Sequence, residues 1–216
     1  MNPSNHRARL EGMISTQLED RGITDEEILD AFRSNPRHLF VPGRRKDEAY
    51  SDRPLPIGEG QTISQPYIVA LMTDLLSPDS DDRVLEIGTG SGFQTAILAS
   101  LAAEVFTVER KESLLEEAKK VHRELGIENV HYKYGDGTTG WKEEAPFDRI
   151  LGTGSVPEVP ESLIDQLGRA GKIVLPVGSR RQQRLVTLTK RGEEVLRRED
   201  AYCSFLPLIG KEGWEE

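Results

Sequence analysis

Three short clusters in this chain carry residue types that do chemistry. In the first, Glu86 stands two positions ahead of three alternating glycines, Gly88-Thr89-Gly90-Ser91-Gly92. Glycine lets backbone approach a ligand where any Cβ would obstruct it, and a helix that opens just after such a run points unpaired N–H groups at that ligand. Glu109 closes a second apolar run about twenty residues on, the spacing at which a carboxylate takes both hydroxyls of a ribose. A nucleotide or nucleoside cofactor is implied. The second cluster, Gly60-Gln61-Thr62-Ile63-Ser64-Gln65-Pro66, sets hydroxyls behind a glycine turn, and the third is Gly135-Asp136-Gly137.

A dinucleotide fingerprint would read G-x-G-x-x-G, but position 93 is Phe and the third glycine comes one residue early. An acidic residue just before a G-x-G-x-G run resembles instead the S-adenosylmethionine-binding motif of the Rossmann-like methyltransferases. That resemblance implies cofactor contacts from Glu86, Gly88, Thr89, Gly90, Ser91, Gly92, Glu109 and Arg110, and from Asp136 and Gly137 beside the adenine. A nicotinamide oxidoreductase is the more distant alternative.

Positioning these clusters requires a sheet with crossover helices. From Arg83 the chain alternates strand (VLEIG), glycine turn, helix (93–101), strand (105–109), helix, strand (130–134) and strand (147–152). In the second helix Leu114, Ala118, Val121 and Leu125 form one apolar stripe. A helix is expected over 157–167, then strands at KIVLPVG and RLVTLTK, with an antiparallel hairpin turning at Arg191-Gly192. The fold class expected is α/β, a Rossmann-like, doubly wound, mostly parallel sheet with an N-terminal helical extension and C-terminal antiparallel strands. Helices are expected over 6–20 and 24–34, the second capped by Thr24 with Glu27 in capping-box spacing and stopped at Asn35-Pro36. Residues 1–216 read as one domain: 1–82 a helical and substrate-loop region, 83–216 the cofactor-binding core. Residues 1–35 and the loop 50–66 are expected to cover the cofactor.

Composition narrows the partners. Thirty-seven acidic residues against 28 basic ones give a formal charge of −9 and a pI near 5.1, without the basic footprint that nucleic acid demands. Residues 1–20 lack the apolar stretch of a secretory signal, and no run nears the ~20 apolar residues that span a bilayer. A cytoplasmic protein, without a membrane or nucleic-acid partner and acting as a monomer, is expected. Cys203, the single cysteine, has no intramolecular disulfide partner and reads as a buried structural thiol.

The nucleophile separates methyltransferase subclasses. Amino-methylating enzymes carry Asn/Asp-Pro-Pro-aromatic, whereas residues 152–157 here read GTGSVP. Cytosine carbon-5 enzymes need a nucleophilic cysteine, usually after proline, and Cys203 lies between Tyr202 and Ser204. His6, His38, His122 and His131 are scattered, so no metal site is expected. Arg37-His-Leu-Phe-Val-Pro42, Ala49-Tyr50 through Gly58, Gly60 to Pro66, Val84 to Gly92, Phe147 to Ile150, Pro157 to Pro160 and Phe205-Leu-Pro-Leu208 together resemble the protein-L-isoaspartate O-methyltransferases, in the same order over about residues 10–213.

The resemblance implies methyl transfer from S-adenosylmethionine to the misplaced α-carboxylate of L-isoaspartyl residues in damaged proteins, the ester then collapsing to succinimide. It makes Ser64 the catalytic residue and places Thr62, Ile63, Gln65, Thr153 and Leu206 around the substrate. The chemistry is consistent with that: a carboxylate with a pKa near ~4 is already ionised at neutral pH, so alignment rather than a general base is what the enzyme must supply. Ser64 can also be read as the N-cap of a helix starting at Pro66. Departures from the family pattern fall at Gly152-Thr153-Gly154-Ser155-Val156, Arg169-Ala170-Gly171 and Leu206. Alternatives are an aspartyl carboxyl methyltransferase tailoring a biosynthetic peptide and a non-catalytic S-adenosylmethionine-binding adaptor.

Overall fold

The computed structural model describes residues 3–216; Met1 and Asn2, included in the single-domain expectation for 1–216, lie outside the described residues. Helix α1 (Pro3–Met13) runs into a π turn (Ile14–Leu18) and a 3-10 turn (Glu19–Arg21), so the helix expected over 6–20 is one helical run of changing pitch. Helix α2 (Glu26–Ser34) buries Ile28, Leu29, Ala31 and Phe32. Its N-cap is Asp25 and not Thr24: the Asp25 carboxylate accepts from the backbone N–H of Glu27 at 2.9 Å and of Ile28 at 3.3 Å. Both residue types cap well, and a carboxylate gains further from the positive end of the helix.

Strands β1 (Leu55–Gly58) and β2 (Gln61–Ile63) form an antiparallel hairpin where the sequence predicts only a loop, and α3 (Pro66–Leu76) follows. The expected alternation then appears: β3 (Arg83–Ile87), α4 (Phe93–Ala99), β4 (Glu104–Glu109), α5 (Glu112–Glu124), β5 (Val130–Tyr134) and β6 (Phe147–Gly152). After the short α6 (Glu161–Asp165) come β7 (Leu167–Gly178), β8 (Gln183–Arg191) and β9 (Glu194–Cys203). The helix expected over 157–167 shrinks to α6, which starts after Pro160, because tertiary pairing claims its last residue and the residue just ahead of it. Val156 donates to Pro176 O at 3.0 Å, and Leu167 pairs with Phe147 as the start of β7.

The sheet order is β5-β4-β3-β6-β7-β8-β9, parallel through β7, with β8 antiparallel to both neighbours. The hairpin at Arg191-Gly192 is present, with Arg191 opposite Glu194. Central strands are buried on both faces, as a covered parallel sheet requires. Leu85, Ile87, Phe106 and Val108 face α6, while Val84, Val105, Met72 and Leu98 pack on the α3–α4 side. A third cluster joins Leu18, Ile28, Phe32 and Phe40 to Phe93 and Ile97, which anchors the N-terminal helices behind α4. The chain leaves β3 toward β4 on one side and reaches β6 on the other. Ligands of such sheets bind where strand order reverses, outside the carboxyl ends of the strands. Among the described residues, no helix is long and apolar enough to cross a membrane.

Candidate active site

At that reversal a cavity of about 690 Å³ opens, within the range of cofactor sites. It is lined by the segments following four parallel strands: Gly88 to Ser91, Glu109 to Lys111, Gly137-Thr138 and Thr153-Gly154. Gly88 (φ 94°) and Gly92 (φ 81°) need glycine twice over. A Cβ on Gly88 would overlap the Thr153 hydroxyl, and one on Gly92 would sit 2.5 Å from His122 Nε2. His122 is fully buried; Nε2 donates to Gly92 O (2.8 Å) and Nδ1 accepts from the Tyr132 hydroxyl (2.7 Å), a tautomer assigned from these partners. Burial pushes its pKa down, so the ring stays neutral. His122 is one of four scattered histidines in the sequence, yet it stands four residues after Ala118 on the buried face of α5.

Glu109 is fixed by the loop it serves. Oε2 accepts from Gly90 N and Oε1 from Lys111 N, both at 2.9 Å, leaving lone pairs of each oxygen for a ligand in the cavity. A cradle whose Cβ positions are closed, beside a preoriented carboxylate, fits a nucleoside cofactor. Of the residues expected at the cofactor, Gly88, Thr89, Gly90, Ser91, Glu109, Arg110 and Gly137 line the cavity. Glu86, Gly92 and Asp136 do not line it, and each supports it from outside.

Glu86 lies beneath the loop. Its Oε2 accepts from Thr95 Oγ1 (2.5 Å) and Thr107 Oγ1 (2.6 Å), and Thr107 in turn bonds Thr89 in the cradle at 2.6 Å. Full burial pushes its pKa up to about 8, so the carboxyl is mostly protonated at neutral pH. Because folded Glu86 holds its proton more tightly than the unfolded chain does, the fold loses stability as pH climbs from 4.5 toward about 8. Glu86→Gln removes that titration while keeping the shape. Its melting temperature should gain about 7–14 °C on wild type between about pH 5 and 8, by differential scanning fluorimetry. A gap independent of pH would show that Glu86 is ionised in the fold.

The Asp136 carboxylate is engaged at both oxygens: Oδ1 takes Thr138 N (2.9 Å) and Thr138 Oγ1 (2.7 Å), and Oδ2 takes Lys211 N at 2.8 Å. It thereby latches the C-terminal segment, whose residues Leu206 to Ile209 roof the cavity and pair with Ser155. Arg110 reaches the same segment through an ion pair with Glu216 at 2.5 Å.

Thr62, Ile63, Ser64, Gln65, Thr153 and Leu206 all line the cavity. The N-cap of α3 is Gln65, without a side-chain bond, so Ser64 is not a cap. Gln65 Nε2 donates to Asp52 (2.8 Å), and the Thr153 hydroxyl points to Ile87 O (3.0 Å) and Gly88 O (2.5 Å). Ser64 is held by its backbone. Arg37, fully buried, donates to the carbonyl oxygens of Ser64 (2.9 Å), Arg53 (3.2 Å) and Ala49, clamping both ends of the loop that carries Ser64. The sequence marks Arg37 only as part of the Arg37–Pro42 match. The loop thus lines the cavity as expected, whereas the described residues of 1–35 do not; residues 202–209 line it instead. Cys203 is half-buried on the cavity wall and not fully buried, its thiol pushed up to about 11 by desolvation.

A parallel sheet with a glycine cradle and a preoriented carboxylate at its switch point has the architecture of the Rossmann-like, S-adenosylmethionine-dependent methyltransferases. Residues 8–213 match the family model described as Protein-L-isoaspartate(D-aspartate) O-methyltransferase (PCMT), and the chain belongs to that family. It is 53% identical over 204 residues to the protein-L-isoaspartate O-methyltransferase of Trichlorobacter lovleyi, covering 94% of each chain. With the Methanoculleus marisnigri enzyme it shares 52% identity over 97% of this chain and 95% of the relative. A solved protein-L-isoaspartate O-methyltransferase superposes with TM-score 0.86 at 31% identity, covering 94% of this chain and 67% of that one. A Plasmodium falciparum structure in complex with S-adenosyl-L-homocysteine has the same fold, with TM-score 0.79 at 24% identity over 94% of this chain and 98% of that one.

Proposed function

We propose that this cavity methylates the α-carboxylate of L-isoaspartyl residues in damaged proteins, with Ser64 orienting that carboxylate and Glu109 holding the cofactor ribose. S-adenosylmethionine supplies an electrophilic methyl group. The observation that carries the reading is continuity: one cavity joins the glycine cradle to the Ser64 loop, and no histidine lines it among the described residues. Cys203, held as a thiol at neutral pH, is a poor nucleophile there. Arg110, Lys111 and Arg180 at the walls favour an anionic guest. Thr62, Ile63 and Leu206 bound the mouth; Gln65 and Thr153 serve by holding Asp52 and the cradle. Residues 83–216 act as cofactor core and 1–82 as loop and support of one domain. The same proposal makes the chain a cytoplasmic monomer acting on protein and not nucleic acid, in keeping with its charge of −9.

The test is a pH–rate profile. With the nucleophile already ionised, kcat/KM on an isoaspartyl peptide should stay level between about pH 6 and 8. A limb rising tenfold per pH unit would reveal a catalytic base.

A further inference from the structure

The catalytic cavity opens onto a second surface. Tyr202, on its rim, also lines an open groove of about 810 Å³ along β8 and β9, on the sheet face that carries α6. Strand alternation puts Val195, Arg197 and Glu199 of β9 on this face. Beyond Glu199 the register shifts: Arg184 pairs with Tyr202 and Val186 with Glu199, so Asp200 and Ala201 together oppose Leu185. Such a bulge re-aims the next side chain, and it brings Tyr202 onto the face of Val195. Without it, Tyr202 would point to the α3 side and the groove would stop short of the cavity.

The groove is built to take uncharged chain. Glu199 bonds Arg184 Nη1 at 3.1 Å and Arg197 Nη2 at 3.4 Å, and the Arg184 guanidinium lies 4.5 Å from the Tyr202 ring centre. Glu158, which also lines the groove, joins Glu199 in balancing the two guanidinium groups in formal charge, while Tyr202 is held 64% exposed and Val195 37% exposed. The far side of β9 has no strand partner, being the end of the sheet.

We propose that this groove holds, in extended form, the residues that flank the isoaspartyl residue on one side of the substrate chain. The proposal rests on the methyltransferase reading of the cavity. A polypeptide whose modified side chain enters that cavity must pass its backbone over the rim, where Tyr202 and Leu206 are exposed. A chain leaving on the Tyr202 side meets the groove directly, and about six residues at 3.3 Å each reach from Tyr202 to Val195.

Three isoaspartyl peptides test this: a short one, and versions extended by about six residues on the amino or the carboxyl side, with apolar residues in the extension. One extension should lower KM about tenfold at unchanged kcat, and the other should not. Val195→Asp, remote from the cavity, should erase the gain and leave short-peptide turnover intact; Leu196→Asp, on the opposite face, should keep it. The proposal is overturned if neither extension lowers KM, if both do so equally, if the gain survives Val195→Asp, or if Leu196→Asp erases it as well. A wild-type dimer that Val195→Asp dissociates would assign the groove to a second copy of the chain and overturn it too. Loss of turnover on the short peptide by wild type would instead count against the methyltransferase reading itself.

Discussion

Replacing Ser64 by alanine is expected to lower kcat and kcat/KM together by about 10²-fold, with S-adenosylmethionine affinity nearly unchanged. Methyl transfer needs the carboxylate oxygen in line with the electrophilic carbon, and a displacement of about 1 Å at such a centre costs roughly that factor. Ser64 is placed for this by groups that do not depend on its hydroxyl. Arg37 grips its carbonyl, and Gln65 rather than Ser64 begins α3. Stability should therefore change by less than about 0.5 kcal/mol, as for a substitution that breaks no cap, core contact or buried network. Thermal melts and initial rates on an isoaspartyl peptide read the two quantities separately. A folded Ser64→Ala enzyme with wild-type turnover would move the orienting role to Thr62 or to backbone N–H groups of the loop.

Glu109→Ala should weaken S-adenosylmethionine binding by about 10- to 150-fold, the equivalent of about 1.5–3 kcal/mol for charge-assisted hydrogen bonds. The substitution removes the proposed ribose acceptor and also releases Gly90 N and Lys111 N, which the carboxylate now fixes. Glu109→Gln retains one acceptor oxygen and should lose less. Calorimetric titration of both variants, each shown folded by circular dichroism, measures the difference. Unchanged affinity in a folded Glu109→Ala protein would place the ribose elsewhere.

What the sequence made legible follows from the range of the forces involved. The glycine cradle was readable because steric demands at Gly88 and Gly92 leave no other residue type, and the acidic spacing to Glu109 is fixed by strand length. Asp136 was harder: a carboxylate flanked by glycines looks free, and only the folded chain brings Lys211 N to it across 75 positions. Glu86 was placed at the ligand because it opens the glycine motif, whereas strand alternation turns its side chain down toward Thr95 and Thr107. Residues 157–167 have helical composition over one turn, but pairing with β6 and with Pro176 outweighs so short a helix. Arg37 carries no local signal of its role, since its three acceptors lie 12 to 27 positions away.

The most direct measurement is transfer of labelled methyl from S-adenosylmethionine to two peptides that differ only in an L-isoaspartyl or an L-aspartyl linkage. The account predicts base-labile label on the isoaspartyl peptide, with kcat/KM on the aspartyl peptide lower by about two orders of magnitude or more, because an aspartyl linkage carries its free carboxylate one methylene out from the Cα, on a main chain one atom shorter, and so out of line. Equal or preferential methylation of the aspartyl peptide would point to a tailoring enzyme, and no transfer to either, with the cofactor bound, to an adaptor; each result would contradict the account.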